Sequence, residues 1–494
     1  KRQVQGSNMK IVKTANNPAV FARNLLFAGL LSAVIGCAVG PDYEAPTPDI
    51  PEQYDAVTHS VTSKPTDNWW ASFNDAVLTQ CVQEALNHNQ DIQIGVERMR
   101  IARAMRRMES STFYPQIDTK LSYTVDRLSE NNPRFEEAIS QGFFPRDVDY
   151  WDAGFDVNWE IDVFGGTRRR VEGAVARIEE EAFQQLALML SISAEVARNY
   201  FEIRGNQQKL SIIEAQIENE ASRIQVLQNK HRSGLIPASQ IINSQVRKQE
   251  LESLKPTIEA DIKAGQYRLA VLMGRRPEAA IAGLDIIHPL PTSGGQVPVG
   301  LPSDLLRQRP DIRAAERKLA AATADVGVAK AEFFPRFFLT GSPGLQSGDF
   351  ADLFSSSSTA WVFGPKVSWK LFSGNRNKAQ LETSNARQTQ ASIEYDATVN
   401  KALEDVESNL VRYGNNAVSL RFAVEAMNTR RRDLEIQTIR HESGLTDALA
   451  VAASKAAWLD SKWNQLEWQV NLLTRVVALY KSLGGGWADA MAME

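Results

Sequence analysis

Trp151-Asp152-Ala153-Gly154-Phe155-Asp156-Val157-Asn158-Trp159-Glu160-Ile161-Asp162-Val163 is the stretch that decides the fold. Every odd position is apolar, and every even position is polar, charged or glycine. A period of two places successive side chains on opposite faces of a strand, so this strand has one apolar and one wet face. Runs of about ten such residues with aromatics near both ends suit a transmembrane barrel strand. Alternation alone fits a soluble, half-buried sheet equally well.

Three neighbouring segments repeat the pattern. In Gln116 to Asp126, Ile117, Thr119, Leu121, Tyr123 and Val125 oppose Asp118, Lys120, Ser122 and Thr124. Farther on, Trp361, Phe363, Val367, Trp369 and Leu371 oppose Lys366, Ser368 and Lys370. The segment Arg336 to Leu345 is diluted by Gly341, Pro343 and Gly344. The expectation is two hairpins, at about 116–163 and 336–372. Four strands cannot close a membrane barrel, which needs at least about eight. An open strand edge in lipid is excluded by its unpaired backbone groups. A barrel would therefore be shared between subunits, with eight strands from a dimer or twelve from a trimer.

The hairpins sit in a duplicated chain. Asp91-Ile92 through Phe113-Tyr114-Pro115 recurs 220 positions later as Asp311-Ile312 through Phe333-Phe334-Pro335. His231-Arg232-Ser233-Gly234-Leu235 recurs 210 positions later as His441-Glu442-Ser443-Gly444-Leu445, and Leu269 and Gly274 recur as Leu479 and Gly484. A difference in loop length accounts for the drift. Two repeats, 76–277 and 303–484, follow, joined by a linker at 278–302 rich in Pro and Gly. Each is expected to read helix, hairpin, very long helix, turn, long helix. No proline interrupts Pro145 to Pro237, so a helix from about Gly166 to Lys230 would extend roughly 95 Å. Ala182, Leu186, Met189, Ser193, Val196, Tyr200, Ile203, Gln207 and Leu210 step by four and three, as in coiled-coil packing. Polar members of that seam suit helices packed side by side into a tube. Gly234 and Gly444 mark turns that need positive φ.

The N-terminal region reads as an address. Residues 1–8 precede Met9 as an upstream extension; 9–36 form a signal segment with Lys10, Lys13 and Arg23 before the apolar run Leu25 to Ile35. That run is too short to span a bilayer, which takes about 20 residues. Val34-Ile35-Gly36-Cys37 resembles a lipobox, which makes Cys37 the expected lipidation site and 37–75 a lipidated N-terminal segment. Ala38, in place of an aspartate, is compatible with transfer to the outer membrane. Acyl chains anchor a protein without making it span.

Composition narrows the class. The 494 residues carry 55 Lys+Arg against 59 Asp+Glu, a net charge of −4, which argues against a nucleic-acid binder. With 43% hydrophobic and 23% charged residues, neither disorder nor a polytopic helical membrane protein fits. The two cysteines, Cys37 and Cys81, support neither a disulfide framework nor a cysteine zinc site, and Cys81 lies in an apolar helix as a packing residue. There is no H-E-x-x-H, G-x-S-x-G or phosphate-loop pattern, and His231 and His441 are equivalent turn positions. No catalytic residue, no metal site and no cofactor beyond a covalent lipid are expected; the protein is not expected to be an enzyme.

Taken in order, several motifs carry a family resemblance: Gly40-Pro41-Asp42-Tyr43, Trp69-Trp70 with Phe73, Ala85-Leu86 with Asn89 and Asp91, Trp159 through Gly165, Arg309-Pro310-Asp311-Ile312, Phe334-Pro335, Phe363-Gly364-Pro365, and Leu479-Tyr480-Lys481-Ser482-Leu483-Gly484-Gly485-Gly486-Trp487. From Cys37 almost to Trp487 the chain resembles outer membrane factors of the TolC family, in their lipoprotein branch. The resemblance implies an α+β membrane protein: a homotrimer with a twelve-stranded outer-membrane barrel, a long periplasmic α-helical barrel and a mixed equatorial domain, ending in a tail at 485–494. It implies a Gram-negative outer membrane, and a passive exit duct for drugs and small amphiphiles. The implied partners are a periplasmic membrane fusion protein, an inner-membrane transporter and outer-membrane lipid. A duct for type I protein secretion and a periplasmic coiled-coil lipoprotein are the alternatives.

Within that family the closed state is a constriction at the helix-turn end. The resemblance places Gly234, Gly444, Leu445, Asp447 and Leu449 there, and puts Ala450 and Ala453 where some relatives carry ring-forming aspartates. Three copies of Asp447 around an axis would repel and raise their pKa values; the alternative is a helix-start carboxylate. Asp118, Asp152, Asp156, Glu160 and Asp162 outnumber Lys120, Lys366 and Lys370 on the polar strand faces, which predicts an acidic, cation-preferring lumen.

Overall fold

A computed structural model describes residues 38–55, 68–129, 145–291 and 300–485, with scattered positions between 131 and 143. Residues 1–8, the signal segment 9–36, Cys37, the middle of the linker and all but the first residue of the tail lie outside the described residues.

The first repeat contributes α1 (Ala76–His88), α2 (Gln90–Ser111), β1 (Gln116–Arg127), β2 (Asp147–Ile161), α3 (Gly166–Arg232) and α4 (Ser239–Leu272). The second contributes α5 (Pro310–Ala331), β3 (Arg336–Ser347), β4 (Thr359–Ser368), α6 (Arg376–Glu442) and α7 (Ala448–Ser482). The order helix, hairpin, long helix, turn, helix occurs twice, and α3 and α6 both have 67 residues, about 100 Å each.

Equivalent contacts recur as well. Asn89 Nδ2 donates to the Leu272 carbonyl at 2.9 Å, and Arg309 Nη1 donates to the Ser482 carbonyl at 2.9 Å. A Cβ on Gly274 would stand 2.1 Å from the His88 carbonyl oxygen, and one on Gly484 would stand 2.7 Å from that of Gln308. In each repeat the last helix thus closes against the entry to the helix that precedes the hairpin, α2 or α5.

The compact units cut across the repeats. Of the described residues, those within 38–43, 105–175 and 321–388 form one unit, which holds all four strands; those within 44–104, 176–320 and 389–485 form the other. The helical unit has an aromatic core: Trp69 stacks on Tyr480 with centroids 5.4 Å apart, and Phe73 meets Phe201 edge-on at 5.0 Å. The middle of the α3 seam is buried, with Val196, Tyr200 and Ile203 at 0–1% exposure, while Ala182, Leu186, Met189 and Leu210 are half-buried. Its polar member Gln207 is hydrogen-bonded to the Leu284 carbonyl at 2.6 Å, next to buried Arg204, which donates to the carbonyls of Gly283 and Ile286. These two side chains pin the first residues of the linker. A buried guanidinium needs such acceptors, because leaving it unpaired in the core costs several kcal/mol. Cys81 is buried in α1, and burial pushes its thiol up to about 12.

Candidate functional site

The strands form one antiparallel sheet in the order β1-β2-β3-β4, so among the described residues one edge of β1 and one edge of β4 have no strand partner. Register fixes the faces. Ile117 pairs with Val157, Leu121 with Ala153 and Tyr123 with Trp151; across the sheet Trp159 pairs with Leu339, and Gly341 with Phe363. Directly paired residues share a face, so these side chains form one continuous apolar surface. It is exposed: Ile117 at 63%, Leu121 at 67% and Phe363 at 66%. An apolar face of this extent is not that of a sheet with water on it.

Aromatics band both ends of that surface. At the hairpin ends Tyr123 and Trp151 lie 4.8 Å apart and Phe350 packs on Trp151 at 5.0 Å. At the helix ends the Trp159 indole donates to the Phe113 carbonyl at 2.8 Å, and the Trp369 indole donates to the Phe333 carbonyl at 3.0 Å. Trp151 and Trp159 are separated by eight residues of β2, about 26 Å of strand. Two girdles around an apolar band about 25 Å tall are the pattern of a strand crossing a membrane. No described helix is long and apolar enough to cross one.

The opposite face carries Asp118, Lys120, Asp152, Asp156, Glu160 and Lys366. Asp118 stands directly across from Asp156, which accepts the Ser342 hydroxyl at 2.7 Å; Lys120 pairs with Asp152 at 3.0 Å. Two expected members are elsewhere. Asp162 lies beyond the end of β2 and accepts the Thr167 and Arg168 amides at 3.0 and 2.9 Å, which satisfies the first turn of α3. Lys370 lies beyond β4, which ends at Ser368. Arg336, unforeseen, joins the face 3.7 Å from Glu160.

The diluted segment is a full strand, Arg336–Ser347, in spite of Pro343. The β2–β3 ladder is interrupted opposite Phe155 and Asp156, where proline has no amide to offer, and the Ser342–Asp156 hydrogen bond bridges the gap.

The motif that follows Cys37 is seated on the sheet-bearing unit. The Val39 amide donates to the Phe164 carbonyl at 3.0 Å, and Gly40, at φ +106, lies so close to Gly327 that a Cβ would come within 2.4 Å of its Cα. Buried Arg169 holds Asp42 at 2.6 Å and Glu172 at 2.8 Å. Sequence reading missed Arg169; an arginine three residues into a helix carries no sign of a partner 127 positions away.

The turns at 233–238 and 443–447 are built alike. Gly234 and Gly444 adopt φ +71 and +73, and the Leu235 and Leu445 amides reach back to the carbonyls of Lys230 and Arg440 at 2.9 and 2.8 Å. The double closure is a glycine helix cap. His231 and His441 donate through Nδ1 to the carbonyls of Ile236 and Thr446 at 2.8 and 3.0 Å. Leu235 and Leu445 are each 71% exposed, whereas Leu449 is half-buried. Asp447 accepts the Ala450 amide at 3.1 Å as the N-cap of α7 and is hydrogen-bonded to Lys230 of α3. That ammonium, helped by the α7 amides, holds the carboxyl below the usual aspartate range. Within one chain Asp447 is the helix-start carboxylate, with a cation beside it.

The model of the family described as outer membrane efflux protein matches residues 81–275 and 301–485. The chain belongs to that family. The toluene efflux pump outer membrane protein TtgF of Pseudomonas putida is 26% identical over 94% of this chain and 96% of its own length. The cation efflux system protein CusC of Escherichia coli is 25% identical over 92% of this chain and 97% of its own. Among solved structures, the outer-membrane channel OprN is 31% identical and covers 92% of this chain and 100% of its own, with a TM-score of 0.83. The two matched spans are separated by residues 276–300. Among the described residues no group of three or more His, Cys, Asp or Glu is placed to hold a metal ion.

Proposed function

We propose that this outer membrane efflux protein is the exit duct of a tripartite pump: three copies close a twelve-stranded barrel in the outer membrane, and their helices form a tunnel through the periplasm. The observation that carries this reading is a four-stranded sheet with a girdled, exposed apolar face and two unpaired edges. Backbone groups on those edges need partners in lipid, and the β4 edge of one copy can supply the β1 edge of the next. Four strands from each of three chains make a closed barrel of ordinary size. The lipid anchor at Cys37 and the seating of residues 38–43 on the sheet-bearing unit fit insertion at the periplasmic leaflet.

The paired turns fit the docking end. Each presents Ser-Gly-Leu with an exposed leucine, so a trimer offers six near-equivalent positions to a membrane fusion protein. Leu445 and Leu449 are the gate candidates, and Asp118, Asp152, Asp156, Glu160 and Lys366 line the lumen. The inner-membrane transporter supplies the energy and selects the cargo, which is small and amphiphilic. Deletion with plasmid complementation is the test, read as susceptibility and dye retention in a strain lacking redundant ducts. Restored resistance to dissimilar amphiphiles supports the multidrug duct; no change points to dedicated secretion.

A further inference from the structure

The sheet-bearing unit contains a cleft of about 660 Å³ between α5 and the start of α6, and its charge is unbalanced. Arg336, Lys370, Arg376 and Arg387 line it, with Asp325 and Glu332 as the carboxylates. Arg376, Gln380, Ser384 and Arg387 step by four, four and three along α6 and so share one face. Gly374 and Asn375, at φ +57 and +68, make the turn that brings Lys370 and Phe372 into the same cleft.

Arg336 is already engaged, 2.5 Å from Glu332 and 3.7 Å from Glu160. Lys370, Arg376 and Arg387 have no carboxylate within 4 Å among the described residues. No acidic residue occupies the first turn of α6, so its positive end adds to the same potential. Three cations held around one cavity repel each other unless an anion joins them. Beside them Leu371 and Phe372 are 78% and 91% exposed.

We propose that this cleft binds the phosphate headgroup of an anionic amphiphile, an anionic phospholipid in the first instance. The guanidinium forks of Arg376 and Arg387 take the phosphate oxygens, Lys370 adds a point charge, and Phe372 meets the first methylenes. The inference stands on the charges of the cleft and is independent of what the duct exports.

The test uses the full-length assembly in a neutral detergent and measures binding of phosphatidylglycerol, phosphatidylcholine and inorganic phosphate by native mass spectrometry and calorimetry. Phosphatidylglycerol should bind and phosphatidylcholine should not. Arg376→Gln with Arg387→Gln should weaken phosphatidylglycerol binding by about tenfold or more, as expected for lost charge-assisted hydrogen bonds. Lys378→Gln, on the same helix outside the cleft, should change nothing. If the double variant assembles poorly, Arg376→Lys with Arg387→Lys keeps the charge and should still lose the fork contribution. Inorganic phosphate binding as tightly as phosphatidylglycerol would assign the cleft to a soluble anion and overturn the amphiphile. Equal binding of the two lipids, or full binding by the double variant, would overturn the site.

Discussion

Gly234 and Gly274 have the same backbone conformation, φ +71 and +72, and differ in what surrounds them. Nothing lies within 4 Å of a Cβ on Gly234, while one on Gly274 would press on the His88 carbonyl oxygen. Gly234→Ala should therefore cost only the left-handed penalty of about 1–2 kcal/mol. Gly274→Ala should cost clearly more, because backbone must move; thermal unfolding of the two variants checks the order. A second residue-scale expectation concerns Asp447. Its carboxyl is held low by Lys230, so the stabilisation is fully present above about pH 4, the unfolded aspartate range, and is lost as pH falls through the folded value. The protection factor of the Ala450 amide should fall as pH drops below that range, and Asp447→Ala should lower it above that range by removing a cap worth about 1 kcal/mol. A protection factor in the wild type that does not change as pH falls through that range would refute the pairing. At this scale the sequence was partly misleading. Asp162 continues the alternation of its strand perfectly, yet a helix beginning at Gly166 claims its carboxylate, and no periodicity reports a competing cap. Arg204 and Arg169 likewise look like ordinary helical arginines until distant carbonyls and carboxylates appear around them.

Elements were far more legible, because their signal is summed over many residues. Strand alternation located β1, β2 and β4, and the break at Ser-Gly-Leu located both turns. The strand ends were less clear: β2 begins at Asp147, ahead of the strict alternation, and β4 stops before Trp369, whose indole is drawn to the Phe333 carbonyl. Pro343 weakened the reading of β3 because its cost depends on which neighbour faces the missing amide. The faces make a sharp prediction. Leu121→Arg puts a cation on the apolar face in mid-strand and should cost about 2–4 kcal/mol in a lipid-facing position. Ser122→Arg, one residue on, points to the polar face and should be tolerated. The yield of heat-modifiable assembly in outer-membrane fractions distinguishes them; equal yields would mean that the apolar face is not in lipid.

For the whole molecule, arithmetic on strands and edges predicts a barrel shared between subunits, whereas lumen charge depends on which residues lie on the polar face. With Asp162 capping α3 and Lys370 past β4, that face carries Asp118, Asp126, Asp152, Asp156 and Glu160 against Lys120, Arg336 and Lys366. Carboxylates still prevail, and in the proposed trimeric barrel threefold repetition would multiply the excess within a narrow aqueous space where fields are focused. The purified channel in a planar bilayer under a potassium chloride gradient should show a reversal potential of cation preference. Asp118→Asn should reduce it and Lys366→Gln should increase it. The preference should shrink at high salt, since the screening length falls from about 10 Å at 0.1 M to about 3 Å at 1 M. Lys370, Arg376 and Arg387 lie past the strands, so neutralising them should affect the preference less than neutralising Lys366. Anion preference in the wild type would mean that the carboxylates of the strand face do not govern the path of ions.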